Sequence, residues 1–311
     1  MLKTPVLFII FNRPDTTKKV FDKIAQVKPG KLYIAADGPR ENKPEDIELC
    51  KQAREVVSKI DWDCQVFKKF NVENLGCGLN VSGAISWAFE KEEKLIILED
   101  DTEPTIPFFY FCQELLEKYK NDKRIMHIGG TNWHPERMKD NNSYIFSRHA
   151  HIWGWATWKR AWNLYDYNLS DINEYFLKDK LKNLFKTRKE RRWFIERWGS
   201  FIKTNYILKD KSNWDYQWYF TCIKNNGLCI WPTSNLVKNI GYIGTHSNIH
   251  KEKKLFNREI DENFFLEKHP SNIKIDENFD YYHFKKFFYF SLKKKIRNKI
   301  IKIMRNVFDA L

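Results

Sequence analysis

No apolar run in this chain approaches the ~20 residues that a helix needs to cross a bilayer, so no membrane-crossing helix is expected. No C-x-x-C pair occurs either. The six cysteines (50, 64, 77, 112, 222 and 229) show no metal-like spacing with histidine, which excludes a zinc ribbon or a dithiol redox motif. In a chain of this size they read as reduced core thiols of a cytosolic protein. No internal repeat and no low-complexity tract is present. The N-terminus opens directly on a strand-like segment, so no signal peptide is expected. Acidic residues almost vanish at the other end: beyond residue 280 nine Lys and Arg face Asp309 alone, which places +8 of the formal net charge of +14 in that tail. A general nucleic-acid binder would spread its positive charge over the body, so no nucleic-acid partner is expected.

What remains is a globular composition, 42% hydrophobic and 30% charged over 311 residues, long enough for one large domain with appendages. Aromatic residues reach 16%, including 12 Trp. Such flat apolar faces serve cores and sugar-binding clefts alike.

Val6 to Phe11 reads as a buried strand that Asn12-Arg13-Pro14-Asp15 closes before a helix through about Val27. A second strand, Leu32 to Ala36, stops at Asp37-Gly38-Pro39. A helix from about Pro44 to Ile60 follows, with Ile47, Cys50 and Val57 on one face. Residues 64 to 70 predict a third strand, Asn74 to Gly78 a turn, and Leu79 to Glu90 a helix. This alternation calls for an α/β fold, a mostly parallel sheet with helices on both faces. A helix (Phe108 to Tyr119) and a strand (Arg124 to Ile128) continue it, after which Trp133 to Trp162 reads as loop-rich and aromatic. Charged helices are predicted over 171 to 206, a helix over Asp215 to Asn225 and a strand over Leu228 to Trp231.

The most informative stretch is Lys94 to Asp101, Lys-Leu-Ile-Ile-Leu-Glu-Asp-Asp. An apolar strand that ends in three acids puts like charges at the edge where ligands of open α/β sheets bind, and such a cluster asks for a cation. Hard divalent ions take one or two carboxylates and leave their other positions to water and substrate phosphate. The alternative is a solvated loop start.

Four motifs in order carry a resemblance to glycosyltransferases of the GT-A fold, the nucleotide-diphospho-sugar transferase superfamily. They are Phe11-Asn12-Arg13-Pro14; Asn74-x-Gly76-x-Gly78; Leu98-Glu99-Asp100-Asp101, a form of the Asp-x-Asp motif; and Trp214-Asp215 followed by Gly241 to His246. The chain most resembles bacterial family 2-like enzymes and, more distantly, N-acetylglucosaminyltransferase I. The resemblance implies a Rossmann-like sheet with a C-terminal helical extension. It implies that Arg13, Asp37, Asn74 and Gly76 line the donor nucleotide pocket, with Asp37 near the base or ribose. Glu99 would face the donor sugar and Asp100 the ribose or an outer metal contact. Asp101 and His246 would hold Mn²⁺ or Mg²⁺, and Asp215 would be the catalytic base. The family's Trp-Gly-Trp matches Trp153 and Trp155 beneath the acceptor sugar. The family's usual Glu-Asp pair is absent at Asp215-Tyr216, a departure from the pattern.

Competing readings stand beside these. Asp37-Gly-Pro also suits a plain turn, Asp215 also suits a helix N-terminus, and the tryptophans also suit a core. The expected organisation is a catalytic domain over 1–250, divided at 130 into a nucleotide-sugar half and an acceptor half. An extended connection over 251–280 and a basic amphipathic tail over 281–311 complete it. In that tail Leu292, Ile296, Ile300, Ile303 and Val307 recur at helical spacing, preceded by Phe284, Phe287, Phe288 and Phe290. The tail fits either an anionic membrane surface or a stripe docked on its own domain. The expected activity is inverting transfer from a UDP-sugar to a glycan or lipid-linked acceptor, in the cytoplasm or on the inner membrane face. A basic nucleic-acid binder and a non-catalytic membrane adaptor are the other classes.

Overall fold

The computed structural model describes residues 1–138, 141–173, 181, 184–203, 213–241 and 258–289. Five strands and three helices follow in sequence: β1 (Val6–Ile10), α1 (Pro14–Val27), β2 (Lys31–Ala36), α2 (Glu45–Val56), β3 (Gln65–Phe70), α3 (Cys77–Phe89), β4 (Lys94–Glu99) and β5 (Thr102–Pro104). After them come α4 (Ile106–Lys118), β6 (Ile125–Gly129), β7 (Tyr144–Ser147), β8 (Trp155–Trp158) and α5 (Lys159–Trp162). The last elements are α6 (Arg188–Lys203), α7 (Asp215–Lys224), β9 (Leu228–Pro232), β10 (Val237–Asn239) and α8 (Glu277–His283).

Eight strands form a mixed, Rossmann-like sheet in the order β3-β2-β1-β4-β8-β6-β9-β7, and β5 pairs with β10 apart from it. The pairings of β1 with β2 and β4, β2 with β3, and β6 with β9 are parallel. Strand alternation fills both faces. Val6, Phe8, Ile10, Ile96 and Leu98 join the core under α1, α2 and α4. Leu7, Ile9, Leu95 and Ile97 point to the opposite face, with residues of α3, α5 and α7. A third cluster gathers Phe194, Trp198, Tyr219 and Phe284.

The structure departs from the sequence reading in several places. The aromatic stretch expected as loop contains two strands, and β8 lies antiparallel between β4 and β6. Its residues Trp-Ala-Thr-Trp are buried on both faces, so they lack the polar alternation that marks a half-exposed strand. On α2 the inner face is set by Asp46, Cys50 and Ala53, and Ile47 is exposed. Asp46 turns inward because Asn12 and Arg40 both donate to its carboxylate. Phe284, in the tail that fitted either a membrane surface or its own domain, is fully buried, and Phe288 stacks on Tyr219 at 6.1 Å. Phe287 packs on Trp133 at 4.7 Å. The remainder of the tail, residues 290–311, lies outside the described residues. Among the described residues no helix is long and apolar enough to cross a membrane.

Candidate active site

The chain runs outward in both directions from the β1–β4 pair, so the carboxyl ends of these two strands form a topological switch point. A cleft of about 550 Å³ opens there. Its walls bring together Arg13, Asp37, Asn74, Gly76, Glu99, Asp100, Asp101, Trp153 and Asp215, from segments up to two hundred residues apart.

The alternation of β4 decides where its acids point. Glu99 continues the Leu95-Ile97 side and pairs in register with Ile9, so its carboxyl enters the cleft toward α3 and α7. Asp100 falls on the opposite side, where it accepts a hydrogen bond from the Phe11 amide at 3.0 Å. Arg13 closes the group: its Nη1 lies 3.2 Å from Asp100 Oδ1 and 2.7 Å from Asp101 Oδ2. Thr102 Oγ1 accepts from the Glu99 amide and donates to its carbonyl, which fixes the turn that carries the triplet. The β5–β10 pair holds the far side. Ile240 donates its amide to the Asp101 carbonyl, and Gly241 lies so close that a Cβ there would strike the Asp101 carboxylate.

Crowding and burial perturb these groups. Glu99 is pushed well above the usual carboxyl range by burial first and then by Asp101, Asp100 and Asp215. Asp100 rises to about 7, burial outweighing the pull of Arg13. Asp215 is raised by burial, although backbone amides of the α7 N-terminus oppose the shift. Cys77, in the same corner, is raised well above the thiol range by burial, with Glu99 and Asp215 adding to it. A carboxyl raised toward neutrality is suited to exchanging protons near pH 7.

Three helices begin at the cleft, α1 after Arg13, α3 after Gly76 and α7 after Trp214; no N-cap side chain bonds any of them, and at α7 the Asp215 carboxylate takes first amides itself. Uncapped amides and the positive end of a helix dipole suit an anion such as a phosphate. Gly76 has φ +80° and ψ 155°, a conformation open to glycine alone, and it aims the first turn of α3 into the cleft.

Asp37 is placed at the cleft as expected, but its role differs. Its Oδ1 accepts from the amides of Gly38 (3.0 Å) and Leu75 (2.9 Å) and from Asn71 Nδ2 (3.3 Å). Its Oδ2 accepts from Asn74 Nδ2 (3.0 Å) and the Gly76 amide (3.1 Å). Five donors saturate the lone pairs of one carboxylate, so Asp37 ties the 71–76 loop to β2 and has no acceptor left for a base or ribose. Asn74, expected at the donor, gives its side-chain NH₂ to the same knot, donating to Asp37 and to the Gly38 carbonyl.

Trp155 is wholly buried, stacked on Trp214 at 5.8 Å and on His127 at 5.1 Å, which corrects its expected place under an acceptor sugar. Trp153, half-buried in the bend before β8, reaches the cleft wall, as does Trp214. His246 lies outside the described residues. Sequence reasoning missed Arg40, which lines the cleft, pairs with Asp46 at 2.5 Å and sits 5.6 Å from the centre of the Phe11 ring. Its position two residues after Asp37-Gly38 was a usable signal. Asn239 had none, because only the β10 pairing brings it to the cleft.

The acids can be tested against a divalent ion. Among the described residues no group of three or more His, Cys, Asp or Glu side chains could hold a metal ion by itself. Asp100 and Asp101 do converge on one point, marked by Arg13 Nη1. Two converging carboxylates beside uncapped helix amides fit a Mg²⁺- or Mn²⁺-type site that substrate phosphate and water complete.

No protein-family model matches the chain, and no curated protein does. Among solved structures, a UDP-glucose pyrophosphorylase complexed with UDP-glucose is similar at TM-score 0.31 and 8% identity, over 52% of this chain and 78% of that one. A 4-diphosphocytidyl-2C-methyl-D-erythritol synthase from Anaerococcus prevotii DSM 20548 is similar at TM-score 0.30 and 12% identity, over 63% and 83%. Likeness at this level carries no argument about chemistry, which rests on the cleft alone.

Proposed function

We propose that the protein is a glycosyltransferase of the GT-A type, moving a sugar from a nucleotide diphosphate donor, a UDP-sugar, to a hydroxyl of a glycan or lipid-linked acceptor. One observation supports this reading above the rest. Two carboxylates converging on one point, an uncapped helix N-terminus and a separate raised carboxyl, Asp215, share one cleft at the switch point.

The chemistry assigns the parts. Asp100 and Asp101 would hold a divalent ion, which when bound stabilises negative charge on the departing β-phosphate. The first-turn amides of α3 take phosphate oxygens. Glu99, whose carboxyl burial raises, would face the donor sugar and hydrogen-bond one of its hydroxyls. Asp215 takes the proton of the acceptor hydroxyl, and in-line attack from its side inverts the anomeric centre. Trp153 offers its face to the acceptor ring. Cell-surface polysaccharide or glycan synthesis is the setting this reaction suits, and the basic tail would keep the enzyme at an anionic membrane surface.

The test is turnover of UDP-sugars with Mn²⁺. Asp101→Ala is expected to abolish turnover while the protein stays folded, and Asp215→Asn to keep donor binding and lose transfer. Unchanged turnover in Asp101→Ala refutes the proposed site.

A further inference from the structure

We infer that Arg13 and the divalent cation are alternative occupants of the Asp100–Asp101 pair, so that Arg13 makes cation binding depend on the nucleotide diphosphate. The inference rests on the proposed function and adds a role for one residue that the donor-site reading leaves open.

The geometry is that of an exchange. A single atom, Arg13 Nη1, approaches both carboxylates, at 3.2 and 2.7 Å, the place a bridging cation would take. The three side chains are 19%, 9% and 20% exposed, so the contact is largely shielded from water and stronger than a surface pair. Both acids are anchored from behind. Asp100 is held by the Phe11 amide, and Asp101 is backed by Gly241 and fixed through its carbonyl by Ile240. Arg13 Nη1 and a bridging metal ion would claim the same point between the two carboxylates, so the two cannot occupy it together.

Arg13 is the movable partner. It stands at the start of α1, ahead of Pro14, and its guanidinium reaches the acids on a long unbranched stem in the cleft, held there by the two carboxylates. A guanidinium displaced from the carboxylates needs another anion. Phosphate oxygens supply one, and the uncapped α3 terminus lies in the same cleft. The pyrophosphate of the donor thus takes over Arg13 while the cation takes over the acids. In the absence of nucleotide the arginine lowers the apparent cation affinity by the fraction of time it occupies the pair. Linkage then requires that the nucleotide raise cation affinity and that the cation raise nucleotide affinity by the same factor.

The experiment measures Mn²⁺ binding to the full chain by electron paramagnetic resonance of free Mn²⁺, with and without UDP, for the wild type and Arg13→Gln. With Mn²⁺ alone, Arg13→Gln is expected to bind at least about tenfold more tightly than the wild type, because the competitor is gone. UDP should enhance Mn²⁺ affinity less in the variant than in the wild type. Equal or weaker Mn²⁺ binding by the variant overturns the inference, whatever UDP does. Should Arg13→Gln fail to fold, Arg13→Lys serves, since its single ammonium is a poorer bridge. It should fall between wild type and a freed site, and wild-type affinity in it overturns the inference. Failure of UDP to bind the wild type with Mn²⁺ present would instead tell against the proposed function, and the measurement with Mn²⁺ alone still judges the competition.

Discussion

Replacing Asp37 by Asn separates a structural knot from a nucleotide contact. The substitution keeps the shape but turns one acceptor oxygen into a donor. Its amide must face either the Gly38, Leu75 and Asn71 donors or the Asn74 and Gly76 donors. The cheaper orientation sacrifices two bonds to a charged acceptor, each contributing about 1.5–3 kcal/mol. It also leaves the surviving three with a neutral partner. Relief from burying a carboxylate offsets part of this, so the expected net loss is about 3 kcal/mol of stability. Arg54, which donates to the carbonyls of Asp37 and Asn71, would lose its alignment as the loop relaxes. The assay is urea denaturation of both proteins, paired with UDP titration. Stability and UDP affinity should fall together, because the same loop sets Gly76 and the start of α3. Unchanged stability, within about 0.5 kcal/mol, with lost UDP binding would refute this reasoning and return Asp37 to the nucleotide.

Two more expectations follow from packing and burial. Trp155→Ala should cost about 3–5 kcal/mol as a large core truncation, whereas Trp153→Ala should cost less than half of that and weaken acceptor use. Equal costs in thermal denaturation would contradict the assignment of the two tryptophans to core and cleft. Burial pulls His127 and His149 down to about 3 and His134 to about 4. These folded-state values lie below the unfolded value of about 6.5, so protons bind the unfolded chain first. The stability carried by the neutral rings is therefore complete above about pH 6.5 and is lost as pH falls toward 4 and below, at up to about 1.4 kcal/mol per pH unit per ring. Asp280, raised to about 7 by burial, runs the other way, its contribution being lost as pH rises through 7. His127→Gln should flatten the slope of unfolding free energy between pH 4 and 6 by the share of one ring. An unaltered slope would show that His127 is not neutral in the fold.

How far the sequence could be read depended on whether a residue's role is local. The acid triplet was legible because an apolar run and three acids are adjacent, and strand alternation then sends Glu99 and Asp100 to opposite sides. The β-α alternation of the first hundred residues was legible for the same reason. Asp37 looked like a ligand or a turn, and the donors that decide its role arrive more than thirty residues later, from Asn71, Asn74, Leu75 and Gly76. β8 was hidden because its four residues are buried on both faces and sit inside an aromatic stretch. The inner face of α2 was misjudged at Ile47 because a buried aspartate, neutralised by Arg40, occupies the place where an apolar residue was expected. The phenylalanines at the start of the tail were ambiguous between lipid and core, and their partners Trp133, Phe194 and Tyr219 are remote in sequence.

The most direct test of a cation-dependent nucleotide diphosphate site is calorimetric titration of UDP into the full chain, once with Mn²⁺ and once with EDTA. Saturable binding at one site is expected with Mn²⁺, and a large loss of affinity with EDTA. Absence of binding in Mn²⁺, or equal affinity in EDTA, would contradict the account.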